Sequence, residues 1–252
     1  MPFQRLIPCL LLHEGRLVKG HNFRDLRDAG SPRTTARAHN HQGADELLLC
    51  DIDASRKSKQ PDVEVIRQVA TECHMPLCVA GGIRGVAEAA AVMDAGADKI
   101  CLTTTALDDP EMVSVLAHTY GSQAIVLGVD ISKDANGEYR IFDHRTRALL
   151  ADRDPFEWVS MAVDMGAGEV RLMSVDQEGS LGGYDLDLFA MVRSDVNVPI
   201  ILEGGAGTLN HVQDAFDAGV DGAGVGSMLV FSDANLVKIK QHLITAGMNI
   251  RR

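Results

Sequence analysis

The sequence contains no long hydrophobic run. Although 46% of the 252 residues are hydrophobic, no apolar stretch approaches the ~20 residues that a membrane-spanning helix needs. The run "LIPCLLL" near the N-terminus is short, contains Pro8 and lacks the small-residue cleavage site of a signal peptide. We therefore interpret it as a first strand and expect no membrane partner.

Clusters of basic residues and closely spaced cysteine pairs are also absent. The formal net charge is −11, and the lack of a basic run argues against nucleic acid as the main partner, because phosphate backbones favour clustered Lys and Arg. The cysteines are odd in number, include no CxxC pair and lie mostly inside apolar runs: Cys9, Cys50, Cys73, Cys78 and Cys101. Reduced, buried thiols of this kind predict a cytoplasmic protein.

Short apolar runs alternate with amphipathic stretches along the whole chain. We predict strands near 5–11, 46–51, 76–80, 98–103, 123–130, 168–174, 198–203 and 221–226. Helices are predicted near 32–42, 61–72, 85–95, 109–118, 154–164, 185–194, 208–218 and 234–245. Such α/β alternation requires right-handed crossovers and a parallel sheet, and eight units close into a (β/α)8 TIM barrel. A doubly wound open sheet is the alternative.

An internal repeat favours the barrel. Segment 75–107 reads in parallel with segment 198–230, so that the pairs 81–82 and 204–205 are both Gly-Gly and Thr104 matches Ser227. Two half-barrel copies explain this pattern, and neither half closes alone. We therefore expect one barrel domain over residues 1–252. The only break, at 131–153, contains an Asn-Gly turn and predicts a small hairpin after the fifth strand.

Glycine loops and aspartates follow several predicted strands, at the end of a barrel where active sites lie. The loops "AGGIRG" (80–85) and "EGGAGT" (203–208) predict two phosphate sites on opposite sides of the mouth, because glycines allow close backbone approach. Tight turns alone are the alternative explanation. The predicted phosphate- or substrate-binding residues are Gly81, Gly82, Thr104, Asp176, Gly204, Gly205 and Ser227.

Three aspartates end strands at the same mouth. Asp51, Asp130 and Asp176 end the second, fifth and sixth predicted strands, where a carboxylate can act as a general acid or base. Asp130 follows the apolar run "AIVLGV" and is the strongest candidate, whereas the other two equally suit loop capping. In the repeat, Leu11 occupies the position opposite Asp130, which predicts that one half of the barrel has lost its acid.

Four charged residues lie near the opposite ends of the strands. Their signs alternate on the first, second, fourth and sixth strands, and they predict a paired ring at the lower mouth: Arg5, Glu46, Lys99 and Glu169. The ring either stabilises the barrel or gates a path for a small neutral molecule. Metal binding is not expected, because nothing completes a ligand set with His13 and His21, and "CHMPLC" has poor zinc spacing.

Taken together, "GRLVKG", "GADELLLCDI", "GGIR", "GSQAIVLGVD", "GGAGT" and "GYDLDL" resemble the HisF family, the cyclase subunit of imidazole glycerol phosphate synthase. The resemblance covers nearly the whole chain. It implies that a HisH-type glutaminase docks on the lower face and releases ammonia through the charged gate toward a phosphorylated substrate. It further implies roles for Lys19, Asp51 and Asp130 in catalysis, and no cofactor.

The chain departs from that family pattern at positions where the family has catalytic or ligand-binding residues. The family's first catalytic aspartate falls on Leu11, its acid-glycine pair on Glu178-Gly179, a threonine on Met173 and a serine on Glu203. Stretches such as "PCLLL" and "GSMLVF" resemble instead a WbuZ-type subgroup. That resemblance implies ammonia supply to an ATP-dependent amidotransferase that acts on sugars of surface polysaccharides.

Three hypotheses follow from the sequence. The first is an ammonia-channelling subunit for surface-sugar amidation, in a heterodimer with a HisH-like glutaminase. The second is a functional imidazole glycerol phosphate synthase subunit of histidine biosynthesis. The third is a phosphosugar-binding barrel without an ammonia path.

Overall fold

The predicted barrel is confirmed. A computed structural model describes residues 3–21 and 24–251. Eight parallel strands close into a barrel because the strand Glu169–Ser174, which begins the sheet path, also pairs in parallel with the strand Ile125–Lys133. In barrel order these strands are β1 (Arg5–His13), β4 (Leu47–Asp51), β5 (Leu77–Ala80), β6 (Lys99–Leu102), β7 (Ile125–Lys133), β10 (Glu169–Ser174), β11 (Ile200–Glu203) and β12 (Gly222–Val225).

Helices pack around the outside of this barrel. The eight expected ones are α1 (Pro32–His41), α2 (Val63–Ala70), α3 (Val86–Asp94), α5 (Glu111–Tyr120), α6 (Pro155–Asp164), α7 (Leu186–Asp195), α8 (Leu209–Asp217) and α10 (Leu236–Thr245). Two short helices, α4 (Thr104–Asp108) and α9 (Ser227–Phe231), were not predicted. They begin at Thr104 and Ser227, the two residues that the repeat pairs, so the repeat includes these short helices. None of the helices in the described ranges is long and apolar enough to span a bilayer.

Side-chain caps explain where several of the helices begin. The Asp154 carboxylate accepts hydrogen bonds from the backbone N–H groups of Phe156 and Glu157, at 2.9 and 3.0 Å, and Pro155 occupies the first helical position. These groups satisfy N–H donors that have no partner within the helix. Asp62, Asp185, Thr208 and Asn235 cap α2, α7, α8 and α10 in the same way.

Two β-hairpins extend the barrel at its loop face. The predicted one follows β7: β8 (Tyr139–Asp143) and β9 (Ala148–Leu150) continue as an antiparallel ribbon. The second was missed. The stretch "GRLVKG", which we expected to form a loop, contributes β2 (Arg16–His21), which pairs with β1 and with β3 (Arg24–Gly30). The turn residues Glu14 and Gly15 both have positive φ, the geometry of a tight hairpin turn.

The barrel interior contains a small apolar layer, separate from the larger core between strands and helices. It consists of short or branched side chains: Ile7, Cys9, Leu48, Cys78, Ala80, Cys101, Val126 and Ile201. Burial raises the pKa of the Cys50 and Cys101 thiols to about 12, and no disulfide joins any of the five cysteines. These thiols are inert packing groups, as the sequence indicated.

Candidate functional site

A closed ring of ion pairs lies at the N-terminal mouth of the barrel. Arg5 Nη1 donates to Glu46 Oε2 at 2.7 Å, and its Nη2 donates to Glu169. Lys99 Nζ contacts the same two carboxylates, at 2.8 Å to Glu46 and 2.7 Å to Glu169. Each cation therefore bridges both acids. The structure brings together all four residues that the sequence predicted for the ring.

The two carboxylates of the ring hold its cations, Arg5 and Lys99, in their charged form. Burial would lower the pKa of Lys99, but the two glutamates outweigh it and the pKa is raised. Burial raises the pKa of Glu46, with a further contribution from neighbouring Glu169. The buried Oε1 atom of Glu46 has no hydrogen-bond partner, so one acceptor remains inside the mouth.

The upper interior contains a buried charged cluster that we did not predict as a unit. Arg171 Nε and Nη2 donate to both carboxylate oxygens of Glu203, at 2.9 and 2.7 Å, and Nη1 lies 3.3 Å from Asp130 Oδ1. All three side chains are buried. Arg171 lies two residues after Glu169 on β10, so strand alternation gives both residues the same face. That spacing was the available sequence signal.

Asp130, the strongest catalytic candidate, has two basic side chains as neighbours. His144 Nε2 of the β8–β9 turn lies 3.4 Å from its Oδ2 atom, and Arg171 lies on its other side. Burial alone would raise the pKa of Asp130, but His144 and Arg171 outweigh it and the pKa lies below the usual value. Asp130 is therefore held as a carboxylate and has no proton to supply.

Leu11 is buried beside the β2 hairpin. It pairs with Cys50 of β4 and with Val18 of β2, and it is 3% exposed. It lines the cavity on the second-half side of the mouth and not the one that Asp130 lines. The space beside Asp130 is instead filled by the Arg171 guanidinium. Leu11 itself has no titratable group, so this position cannot transfer a proton.

The first-half glycine loop borders a cavity that is open to solvent. Gly81, Gly82 and Thr104 line it, together with Asp51 and Asp130. Burial raises the pKa of Asp51, whose Oδ1 atom accepts from the backbone N–H groups of the loop that follows β4. A Cβ atom on Gly81 would lie 2.2 Å from the Asp51 carbonyl oxygen. Close packing of two loops therefore requires this glycine, whether or not it also binds phosphate.

The second-half loop borders a smaller cavity. Gly204, Gly205 and Ser227 line it as predicted, and a Cβ on Gly205 would lie 1.8 Å from the Gly183 carbonyl oxygen. The side chain of Lys19 also enters this cavity from β2. Its Nζ atom lies 3.6 Å from Glu178 Oε1, and both side chains are buried.

Comparison with known proteins agrees with this architecture. A family model described as "Histidine biosynthesis protein" matches residues 5–235. The chain is 38% identical over 251 residues to imidazole glycerol phosphate synthase subunit HisF of Exiguobacterium sibiricum, with 100% of both chains covered. It is 41% identical to the subunit HisF of Chlorobium luteolum and 39% identical to that of Streptomyces avermitilis, with 98% of each chain covered. The chain belongs to the HisF family.

The HisF-family match spans the whole candidate site. The charged ring, both glycine loops and the three predicted aspartates all lie within residues 5–235. The family match and the geometry of the site therefore involve the same residues. The WbuZ-type subgroup inferred from short stretches receives no support of its own from these relatives.

One predicted site residue lies apart in this HisF barrel. Asp176 is exposed, and its carboxylate accepts from the Ser132 hydroxyl at 2.6 Å and from the Lys133 N–H at 2.8 Å. It lines neither cavity of the mouth. It ties the loop after β10 to the end of β7, and its assignment to phosphate binding stays a prediction.

The only group in the described ranges that matches a metal-ligand set is His13, Glu14 and Asp53. His13 Nδ1 lies 2.9 Å from Asp53, and Lys57 Nζ lies 3.1 Å from Glu14 and 3.3 Å from Asp53. A lysine ammonium therefore already neutralises the acids. The side chain of His21, the other histidine considered, lies outside the described part of the chain.

Proposed function

We propose that this chain is the ammonia-accepting barrel subunit of a glutamine-dependent amidotransferase whose partner is a HisH-type glutaminase. The observation that carries the proposal is the closed ring of Arg5, Glu46, Lys99 and Glu169 beneath an apolar interior layer. A ring of paired charges rejects ammonium and other ions, while neutral ammonia can pass an apolar interior that excludes them. The relatives named above are themselves subunits of a synthase, which supports a partnered role in the cytoplasm.

Two acceptors for the ammonia are consistent with this barrel. The names of the relatives favour imidazole glycerol phosphate synthase. The family resemblance implies that this reaction converts ammonia and a bisphosphate ribulosyl intermediate to imidazole glycerol phosphate and an aminoimidazole carboxamide ribotide. The retained Lys19, Asp51 and Asp130 support the same reaction.

The loop face favours a different acceptor. Leu11 cannot transfer a proton, and general acid-base help contributes about 10²–10⁴-fold to a rate. Asp130 is held as a carboxylate by Arg171 and His144, so it does not supply the missing acid. These features support delivery of ammonia to a separate ATP-dependent amidotransferase acting on a surface-polysaccharide sugar, as the sequence resemblance implied.

The test pairs the purified chain with a HisH-type glutaminase. We expect a stable complex in which the barrel stimulates glutamine hydrolysis, without turnover of the histidine-pathway intermediate at a synthase's normal rate. Leu11→Asp should raise that turnover if only the first acid is missing. Rescue of a histidine auxotroph by the unmodified chain would instead establish the synthase, and failure to form any glutaminase complex would exclude both acceptors.

A further inference from the structure

The two halves of the repeat end in cavities of opposite character. The first-half cavity is large, and its lining includes two arginines, Arg56 and Arg171. Its carboxylates already have partners: the Asp51 carboxylate accepts backbone N–H groups, and Asp143 pairs with Arg145. An anion that enters this cavity therefore meets hydroxyl groups, backbone and arginine.

The second-half cavity is filled by the protein's own charges. The Nζ atom of Lys19 lies 2.3 Å from the position that a Cβ on Gly226 would take, so the ammonium packs directly over that glycine. The carboxylates of Glu178 and Glu203 line the same space, and Cys9 Sγ donates to Glu203 at 3.2 Å. Ser227 Oγ is buried without a hydrogen-bond partner. An anion in this cavity would therefore meet one hydroxyl donor and two carboxylates.

The charge count decides between the two cavities. In the second, Lys19 balances Glu178 and Arg171 balances Glu203. A phosphate dianion would add two negative charges to a buried, already neutral cluster, which is unfavourable in a medium of low dielectric constant. In the first, Asp51 and Asp143 have the partners named above and Asp130 pairs with Arg171, whereas Arg56 forms no ion pair within the described part of the chain and its guanidinium can meet an anion.

We propose that the ligand of this barrel is a phosphomonoester rather than a bisphosphate. Its one phosphate lies at Gly81, Gly82 and Thr104, and the buried Lys19–Glu178 pair takes the place of a second phosphate at Gly204, Gly205 and Ser227. The opposite end of the ligand then meets Arg171 and Asp130. This inference rests on the proposed function, because it assumes that the loop face is where ammonia reaches its acceptor system.

The test compares fructose 6-phosphate with fructose 1,6-bisphosphate by calorimetry, using the full chain. We expect the two affinities to agree within about threefold, since a second phosphate gains nothing. Thr104→Val should weaken fructose 6-phosphate binding about tenfold, the loss of one hydrogen bond to a charged group. Ser227→Ala, the matched position of the repeat, should leave it unchanged. A bisphosphate preference of about 100-fold, equal losses at the two positions, or no phosphate-dependent binding would each overturn the proposal.

A gain-of-function variant tests the closed half directly. Glu178→Gln keeps the side-chain shape but removes one negative charge, which frees the Lys19 ammonium for an anion. We expect fructose 1,6-bisphosphate to gain about tenfold over fructose 6-phosphate in this variant, and an unchanged ratio would overturn the role assigned to the pair. A chain that forms the glutaminase complex yet prefers the bisphosphate contradicts only this inference. One that binds the monophosphate but forms no complex contradicts only the proposed function.

Discussion

At the scale of single residues, the pair formed by Arg171 and Glu203 is the feature that most changes the meaning of the sequence. Glu203 alone indicated a negative charge beside a phosphate site. In the structure its charge is compensated by a guanidinium bound through two hydrogen bonds. The pair also determines the state of Asp130, because the same guanidinium contacts that carboxylate. One unpredicted arginine thus links two residues that the sequence treated separately.

Removing one partner of this pair should be costly, because the other charge stays buried. We expect Arg171→Met to lower the free energy of unfolding by about 3–5 kcal/mol, measured by urea denaturation. Arg171→Met combined with Glu203→Met should recover most of that loss. As a matched control, Arg67→Met removes an ion pair with Glu64 whose side chains are both exposed, and should change stability by less than about 0.5 kcal/mol. If Arg171→Met lowers the free energy of unfolding as little as Arg67→Met does, the prediction of a buried, unpaired Glu203 charge is wrong.

At the scale of elements, sequence patterns predicted the eight barrel strands and the helices that alternate with them. Apolar runs and caps are local signals, and they placed α6 within one residue. The β1–β2 hairpin was missed because its turn, Glu14-Gly15, is not one of the usual Asn-Gly or Asp-Gly pairs. Its consequence is long-range, since pairing with β1 is what carries Lys19 into the second-half cavity. Loop chemistry that depends on such pairing cannot be predicted from spacing alone.

Helix α1 carries a buried histidine that makes stability depend on pH. Burial lowers the pKa of His39 to about 4, from 6.5, so the unfolded chain binds more protons between these values. Stability is therefore fully present above about pH 6.5 and is lost as the pH falls toward 4, by about 3 kcal/mol. His39→Leu should remove about this much of the fall in the free energy of unfolding between pH 7 and pH 4, measured by urea denaturation. His41→Leu, at an exposed position of the same helix, should leave the dependence parallel to that of the unmodified chain, and parallel curves for His39→Leu would contradict the prediction.

At the scale of the whole molecule, the two ends of the barrel differ in how predictable they were. The lower ring followed from strand order and alternation alone, since four charges on inward-facing positions of one small barrel must meet. The loop face did not, because its residues come from hairpins and from long-range pairs such as Lys19 with Glu178. The end that receives ammonia in our proposal therefore keeps the expected family pattern, while the end that holds the ligand departs from it.

This division predicts that the ring controls the passage of ammonia without setting ligand affinity. Lys99→Met removes the contacts of its ammonium with Glu46 and Glu169, while Arg5 still bridges both acids. In a glutaminase complex supplied with ¹⁵N-amide glutamine and unlabelled ammonium, the labelled fraction of the aminated product should fall, because the mouth no longer separates the interior from solvent. Fructose 6-phosphate affinity should stay unchanged.

The control is Arg33→Met, which breaks a salt bridge with Glu72 outside the ring. It should change neither the labelled fraction nor the fructose 6-phosphate affinity. An unaltered labelled fraction for Lys99→Met would assign the ring to stability alone and favour a barrel without an ammonia path.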